Sequence, residues 1–229
     1  MSIRWFGSDD TIPPAFILQI PDIEDIVSAL HKTPIGEAWT RGVIEKLSDA
    51  VSTAGLRLSI IESIAVHEEI KLGAATRDRW LDNYCENICV VGSAGISVVY
   101  YNFMPVFDWI RTDLAQQQPD ESTALAYSHS NMQAMDMSIG TGQLPGWGAV
   151  YDVPELNRLL NAWRVVNAER LWEHLAFFLE RLVPVAEENG DRMAMHPDDS
   201  PWPVLSLPRI ITNVDSLCRL LHLVDRPAN

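Results

Sequence analysis

The chain is poor in cysteine, poor in cations and free of long apolar runs, and each scarcity narrows what it can be. Three cysteines in 229 residues, Cys85, Cys89 and Cys218, make no disulfide framework and fit a reducing compartment, so the cytoplasm is the expected location. Cys85 and Cys89 stand four apart on one helix face. With no second Cys/His pair beside them they read as small core or near-core residues, not as half of a metal site. Lysine and arginine number 17 against 31 acids, a formal net charge of −14. A surface of that sign repels phosphate backbones and anionic lipids, which argues against nucleic acid and against a membrane surface as partners. A small anionic substrate stays compatible with it, given a local cluster of cations in a cleft. Self-association into a homo-oligomer is left open. No apolar stretch approaches the roughly 18 residues of a membrane span, and "MSIRWFGSDD" has neither the basic start nor the apolar core of a targeting peptide. There is no G-x-G-x-x-G after the first strand pattern and no P-loop, which weakens a doubly wound nucleotide-binding fold.

What is present is an alternation of short apolar runs with helical patterns. Residues 2–6, 26–31, 56–63, 96–103 and 192–196 read as strands. In "GEAWTRGVIEKLSDAVSTAG" the residues Trp39, Val43, Leu47, Val51 and Ala54 recur at helical spacing, with Gly55 as the stop. Residues 76–91 carry Trp80, Tyr84, Ile88 and Val91 on one face. Residues 167–189 carry Leu171, Leu175, Phe178, Leu182 and Val185, with Pro184 expected to kink the last turns. "TNVDSLCRLLHLV" reads as a last helix. Strand, helix, strand, helix predicts an α/β fold with a parallel sheet covered on both faces. The whole chain reads as one domain, interrupted by an irregular insert at about 104–163. Its length and glycines suggest a lid.

Polar residues gather at the C-terminal ends of these strands. The second leads to His31 and Lys32, the third to Glu62 and His67, the fourth to Asn102 and Arg111. The fifth reaches His196, followed by Asp198 and Asp199. In a (β/α)8 barrel that rim is the active-site face. Each residue also has an ordinary structural reading: His31 and His67 as loop histidines, Asn102 as a turn partner, Arg111 in a surface ion pair with Asp108 or Asp113. Trp109 and Leu114, interleaved with these charges, suggest partial burial there. His129, His174 and His222 lie away from strand ends and read as structural. His196 is the strongest single candidate, because Pro197 stiffens the backbone after it and Asp198 and Asp199 stand near enough to orient an imidazole from a second shell.

At these residues the sequence resembles the D-mannonate dehydratase family. The stretches that carry the likeness are "RWFG" (4–7), "SALHKTPIGEAW" (28–39), "ESIAVHEEIKLG" (62–73), "YNFMPVFDWIRTDL" (101–114), 169–203 ending in "MAMHPDDSPWP", and "LPRIITNVDSLCRLL" (207–221). Ser200 stands where the family has proline. The resemblance implies a TIM barrel of the xylose-isomerase-like kind, manganese or ferrous iron as cofactor, and loss of water from D-mannonate to give 2-keto-3-deoxy-D-gluconate in hexuronate breakdown. It implies His196 as a metal ligand. Arg111 or Lys32 would then suit the substrate carboxylate, and His31 or His67 its hydroxyls, by position alone. The family's other ligands, a cysteine, a histidine and an aspartate after later strands, have no match among these residues. The expectation is therefore an N-terminal part of the barrel, about five βα units, inactive alone. The alternatives are a sugar isomerase or epimerase of the same superfamily, or a non-catalytic fragment.

Overall fold

The structure is a computed structural model that describes residues 1–108, 110–134 and 151–229. In chain order its elements are β1 (Ser2–Arg4), a 3-10 turn (Gly7–Asp9), α1 (Pro14–Ile17), β2 (Asp25–Ser28), α2 (Arg41–Ser52), β3 (Arg57–Glu62), α3 (Glu68–Lys71), α4 (Arg77–Ser93), β4 (Val98–Tyr101), β5 (Asp113–Gln117), β6 (Thr123–Ala126), α5 (His129–Ala134), α6 (Val153–Trp163), α7 (Ala168–Asn189), β7 (Arg192–Met195) and α8 (Val214–Leu221). They fall into two compact units. The first holds residues 1–103, 172–196 and 214–229, and the second holds 104–171 and 197–213.

The first unit is built on a parallel sheet of order β1-β2-β3-β4-β7. Each new strand joins the same edge and the order never reverses. A doubly wound sheet turns back on itself at a switch point; this one follows the winding of a (β/α)8 barrel, as expected. Its strands are short because the apolar runs that encode them outlast the pairing. Residues 26–31 pair only to Ser28, and residues 96–103 only to Tyr101. The polar residues that follow are thereby left on loops.

The longest helix supplies the cover. On α7, Leu175, Phe178, Leu179, Leu182 and Val183 are wholly buried. Phe178 meets Tyr84 of α4 edge-on at 5.1 Å, and its ring lies 5.7 Å from Tyr101 and 5.6 Å from Phe103. The helix remains continuous through Pro184. On α2 Val51 is buried as expected, but Ile44 is buried where Val43 was expected, and Val43 is exposed. The cause lies upstream. The helix begins only at Arg41, and Trp39 is held outside it by donating its N–H to Asn87 Oδ1 at 2.6 Å. Asn87, on α4 and almost fully buried, also donates its amide to the Glu37 carbonyl at 3.1 Å.

The stretch expected to be irregular is ordered where it is described. In the second unit β5 and β6 form an antiparallel hairpin. Helix α6 is capped by Asp152, whose side chain accepts the Glu155 N–H at 2.8 Å. Leu114, expected to be partly buried, is 46% exposed on that hairpin, because β5 has no second layer against it. Trp109 and the glycine-rich "GTGQLPGWG" lie outside the described residues. Among those described, no helix is long and apolar enough to cross a membrane.

Asp191, at the start of β7 and far along the strand from the rim, is 2% exposed. Neither carboxylate oxygen has a hydrogen-bond partner, and Gly92 leaves the room it occupies: a Cβ there would stand 2.9 Å from Oδ2. Burial pushes its pKa up to about 7. The folded protein then keeps a proton that the unfolded chain releases near pH 4, so stability falls as pH rises from about 4 to about 7 and levels off above. Asp191→Asn, which is uncharged throughout, should be more stable than the parent at pH 8 and flatten this slope. Urea unfolding of both proteins at pH 5 and pH 8 measures it.

Candidate active site

In the first unit the register of the sheet sets neighbouring strand ends side by side. Ser28 stands opposite Ile61, Glu62 opposite Tyr100, and Tyr101 opposite Met195. His196 continues β7 with its N–H bonded to the Tyr101 carbonyl at 2.8 Å. Asn102 and His196 are thus the first residues past two paired strands. Asn102 is buried and His196 partly so.

Glu62 ends β3 and is paired with Arg4, the last residue of β1, at 3.0 Å; both side chains are about one third exposed. The guanidinium carbon of Arg4 lies 5.0 Å from the centroid of the Phe6 ring. Phe6 in turn lies 5.9 Å from His31 at a tilted angle. His31 keeps an exposed edge. Its partial desolvation, helped by the positive charge of Arg4, lowers its pKa below the ordinary histidine value. Lys32, the next residue, is exposed and pairs with Asp9 at 2.9 Å.

His67 occupies a built turn. It caps α3, its Nδ1 accepting the Glu69 N–H at 3.2 Å, which fixes the ring hydrogen of the neutral form on Nε2. Its ring stacks on Trp80 at 3.9 Å. The Trp80 indole N–H is held by Glu69 Oε2 at 2.7 Å, and Thr76 donates to the same oxygen. Behind this turn, Lys71 and Glu68 form a buried ion pair at 2.8 Å. His174 of α7 donates Nδ1–H to the Lys71 carbonyl at 2.7 Å. His174 is therefore a structural donor, as its place away from the strand ends suggested.

In the second unit the residues after His196 are used for folding. The Asp198 carboxylate accepts the N–H groups of Ile210 and Ile211 at 2.6 and 3.1 Å. Asp199 pairs with Arg111 at 2.8 Å. Three residues on, Trp202 donates its indole N–H to the Tyr127 hydroxyl at 3.2 Å. Arg111 and Tyr127 flank the base of the β5–β6 hairpin, where the Thr112 N–H meets the Ala126 carbonyl and the Ser128 N–H meets Thr112 Oγ1. The loop therefore clasps the hairpin at two points, and the charge of Arg111 is engaged by a carboxylate of the protein.

Sequence reasoning missed Arg4 and Trp80. Trp80 looked like a core position on a helix stripe. Arg4 lay inside "RWFG" without a polar neighbour to mark it, and only the strand order brings it to Glu62. The divalent ion implied by the resemblance does not find a binding set here. Among the described residues, no three His, Cys, Asp or Glu side chains are grouped to hold a metal, which leaves His196 as a single candidate ligand. Cys85, half-buried on α4, has its thiol pKa raised by burial to about 11.

The His67–Trp80 stack depends on Gly36. Its φ is +86°, and a Cβ there would come within 2.6 Å of the Trp80 ring and 2.9 Å of His67. Gly36→Ala should cost about 1–3 kcal/mol through the strained backbone alone, and more through the displaced rings. A lowered thermal midpoint with a changed tryptophan fluorescence is the expected pair of readouts.

The model of the family described as D-mannonate dehydratase (UxuA) matches residues 1–229. The mannonate dehydratase of Streptococcus uberis is 46% identical over 229 residues, covering all of this chain and 66% of that protein. A Streptococcus agalactiae counterpart is 45% identical with the same coverage. The crystal structure of mannonate dehydratase from Streptococcus suis serotype 2 superposes with a TM-score of 0.90 at 41% identity, covering all of this chain and 62% of that one. The chain spans about two thirds of the length of the curated relatives it matches. With the matched family model running over every residue, the chain belongs to the D-mannonate dehydratase family.

Proposed function

We propose that this chain carries part of the active site of a hydro-lyase that converts D-mannonate to 2-keto-3-deoxy-D-gluconate, a step in hexuronate breakdown. The observation that supports this most is the rim itself: Glu62, Asn102 and His196 on consecutive strands, with His31 beside them, in a chain that matches the family along its whole length. The reaction removes a proton from the carbon next to the carboxylate and a hydroxyl from the carbon after it. An uncharged imidazole can accept a proton or a hydroxyl hydrogen bond, whereas a cationic one cannot, and desolvation, then the charge of Arg4, shift His31 toward that form. Glu62, His67 and Asn102 are proposed to contact hydroxyls. Lys32 or Arg111 would grip the carboxylate only by exchanging its present partner, Asp9 or Asp199. A cytoplasmic location and self-association accompany this reading as further proposals.

Manganese or ferrous iron would supply Lewis-acid chemistry, with His196 as one ligand. The described residues form no group of three metal-binding donors, so no step is assigned to the ion here, and the 229-residue protein alone is expected to show no turnover. The test is a chimera in which residues 1–229 replace the matching part of the S. uberis enzyme, assayed beside the 229-residue protein. Bound metal is measured together with loss of water from D-mannonate. Turnover in the chimera only, with metal lost from its His196→Ala form, is the expected result. A folded, metal-loaded chimera that leaves D-mannonate unchanged, or isomerises it without losing water, would remove the proposal.

A further inference from the structure

Arg4 has no part in the outline above, yet its surroundings are unusually specific. It ends β1, and Glu62 ends β3, with β2 between them. In a sheet wound as a barrel, inward side chains from alternate strands meet in shared layers. The 3.0 Å Arg4–Glu62 pair has the form of such a layer, placed at the rim end of the strands and made of opposite charges. The Nε of Arg4 is buried with no hydrogen-bond partner, so the guanidinium is held mainly through Nη1 and its face toward Phe6. Phe6 then carries the contact on to His31, beyond the end of β2. Glu62, Arg4, Phe6 and His31 thus connect the ends of three adjacent strands.

We propose that Arg4 is a positioning residue of this rim, holding Glu62 in the layer at the strand ends and setting the field in which His31 meets a ligand. The proposal rests on the rim being the face that binds the sugar acid. A guanidinium suits this role because it stays cationic at any working pH, and its planar face lies against an aromatic ring while its edge bonds a carboxylate. The charged groups around His31 are Arg4, whose counter-ion is Glu62, and Lys32, paired with Asp9. The second pair is exposed, and water screens it. Beside desolvation, which is the larger cause, the positive charge of Arg4 lowers the His31 pKa.

The test needs no substrate. The ring-proton titration of His31, assigned by its loss in His31→Gln, is followed by NMR in the 229-residue protein and in three variants. Arg4→Met should move the His31 midpoint upward. Arg4→Lys, which keeps the charge, should leave it near the parent value, and Glu62→Gln should not raise it. An unchanged midpoint in Arg4→Met would overturn the proposal. So would an equal upward shift in all three variants, since local packing and not the charge of Arg4 would then be in control. Failure of the dehydratase reading would appear separately, in the chimera with Arg4 intact.

Discussion

The contact on which the first unit most depends is the seat of Phe178. A parallel sheet must be covered on both faces, and α7 is the longest piece of cover available. Its ring touches Tyr84 on α4, Tyr101 at the end of β4 and Phe103 just beyond. One side chain therefore ties two helices to the strand that precedes Asn102. The Tyr84 hydroxyl, itself wholly enclosed, reaches the Ile64 carbonyl at 3.1 Å. The same packing thus fixes the turn after Glu62. The strand end beneath Asn102 is thus held by apolar contacts, while Glu62 also meets Arg4.

Electrostatics at the rim run against the molecule as a whole. The chain carries a large negative charge, yet in the first unit the cations Arg4 and Lys32 near the strand ends are each matched to a nearby carboxylate, Glu62 and Asp9. An anionic ligand would meet compensated pairs, not bare positive charge.

Much of this was legible in the residue pattern, for identifiable reasons. Five apolar runs gave five parallel strands, because a strand buried on both faces leaves a plain signature. The strand ends were less legible. Apolar residues continue past Ser28 and Tyr101 although pairing does not: Ala29 is buried just beyond the first, and Phe103 just beyond the second. On α2 the helical spacing places Val51 inward correctly but not Val43: the helix starts only at Arg41, and Trp39, buried outside it, gives its N–H to Asn87, a polar partner 48 positions away. Arg4 was overlooked for a related reason: its significance arises from a strand two places away in the sheet. In "HPDDSPWP" the Asp198 carboxylate accepts the Ile210 and Ile211 amides, a use that the spacing of the motif does not announce.

The clasp between that loop and the β5–β6 hairpin has a consequence for how this region tolerates sequence drift. All five residues of β5 are exposed, and so are three of the four in β6, so substitutions along the arms change few contacts. The base is different: Arg111 and Tyr127 each answer a particular atom, on Asp199 and Trp202 respectively. Drift in the hairpin is therefore cheap along its length and constrained at its root, and a change at either root residue would be felt in a loop more than seventy positions away.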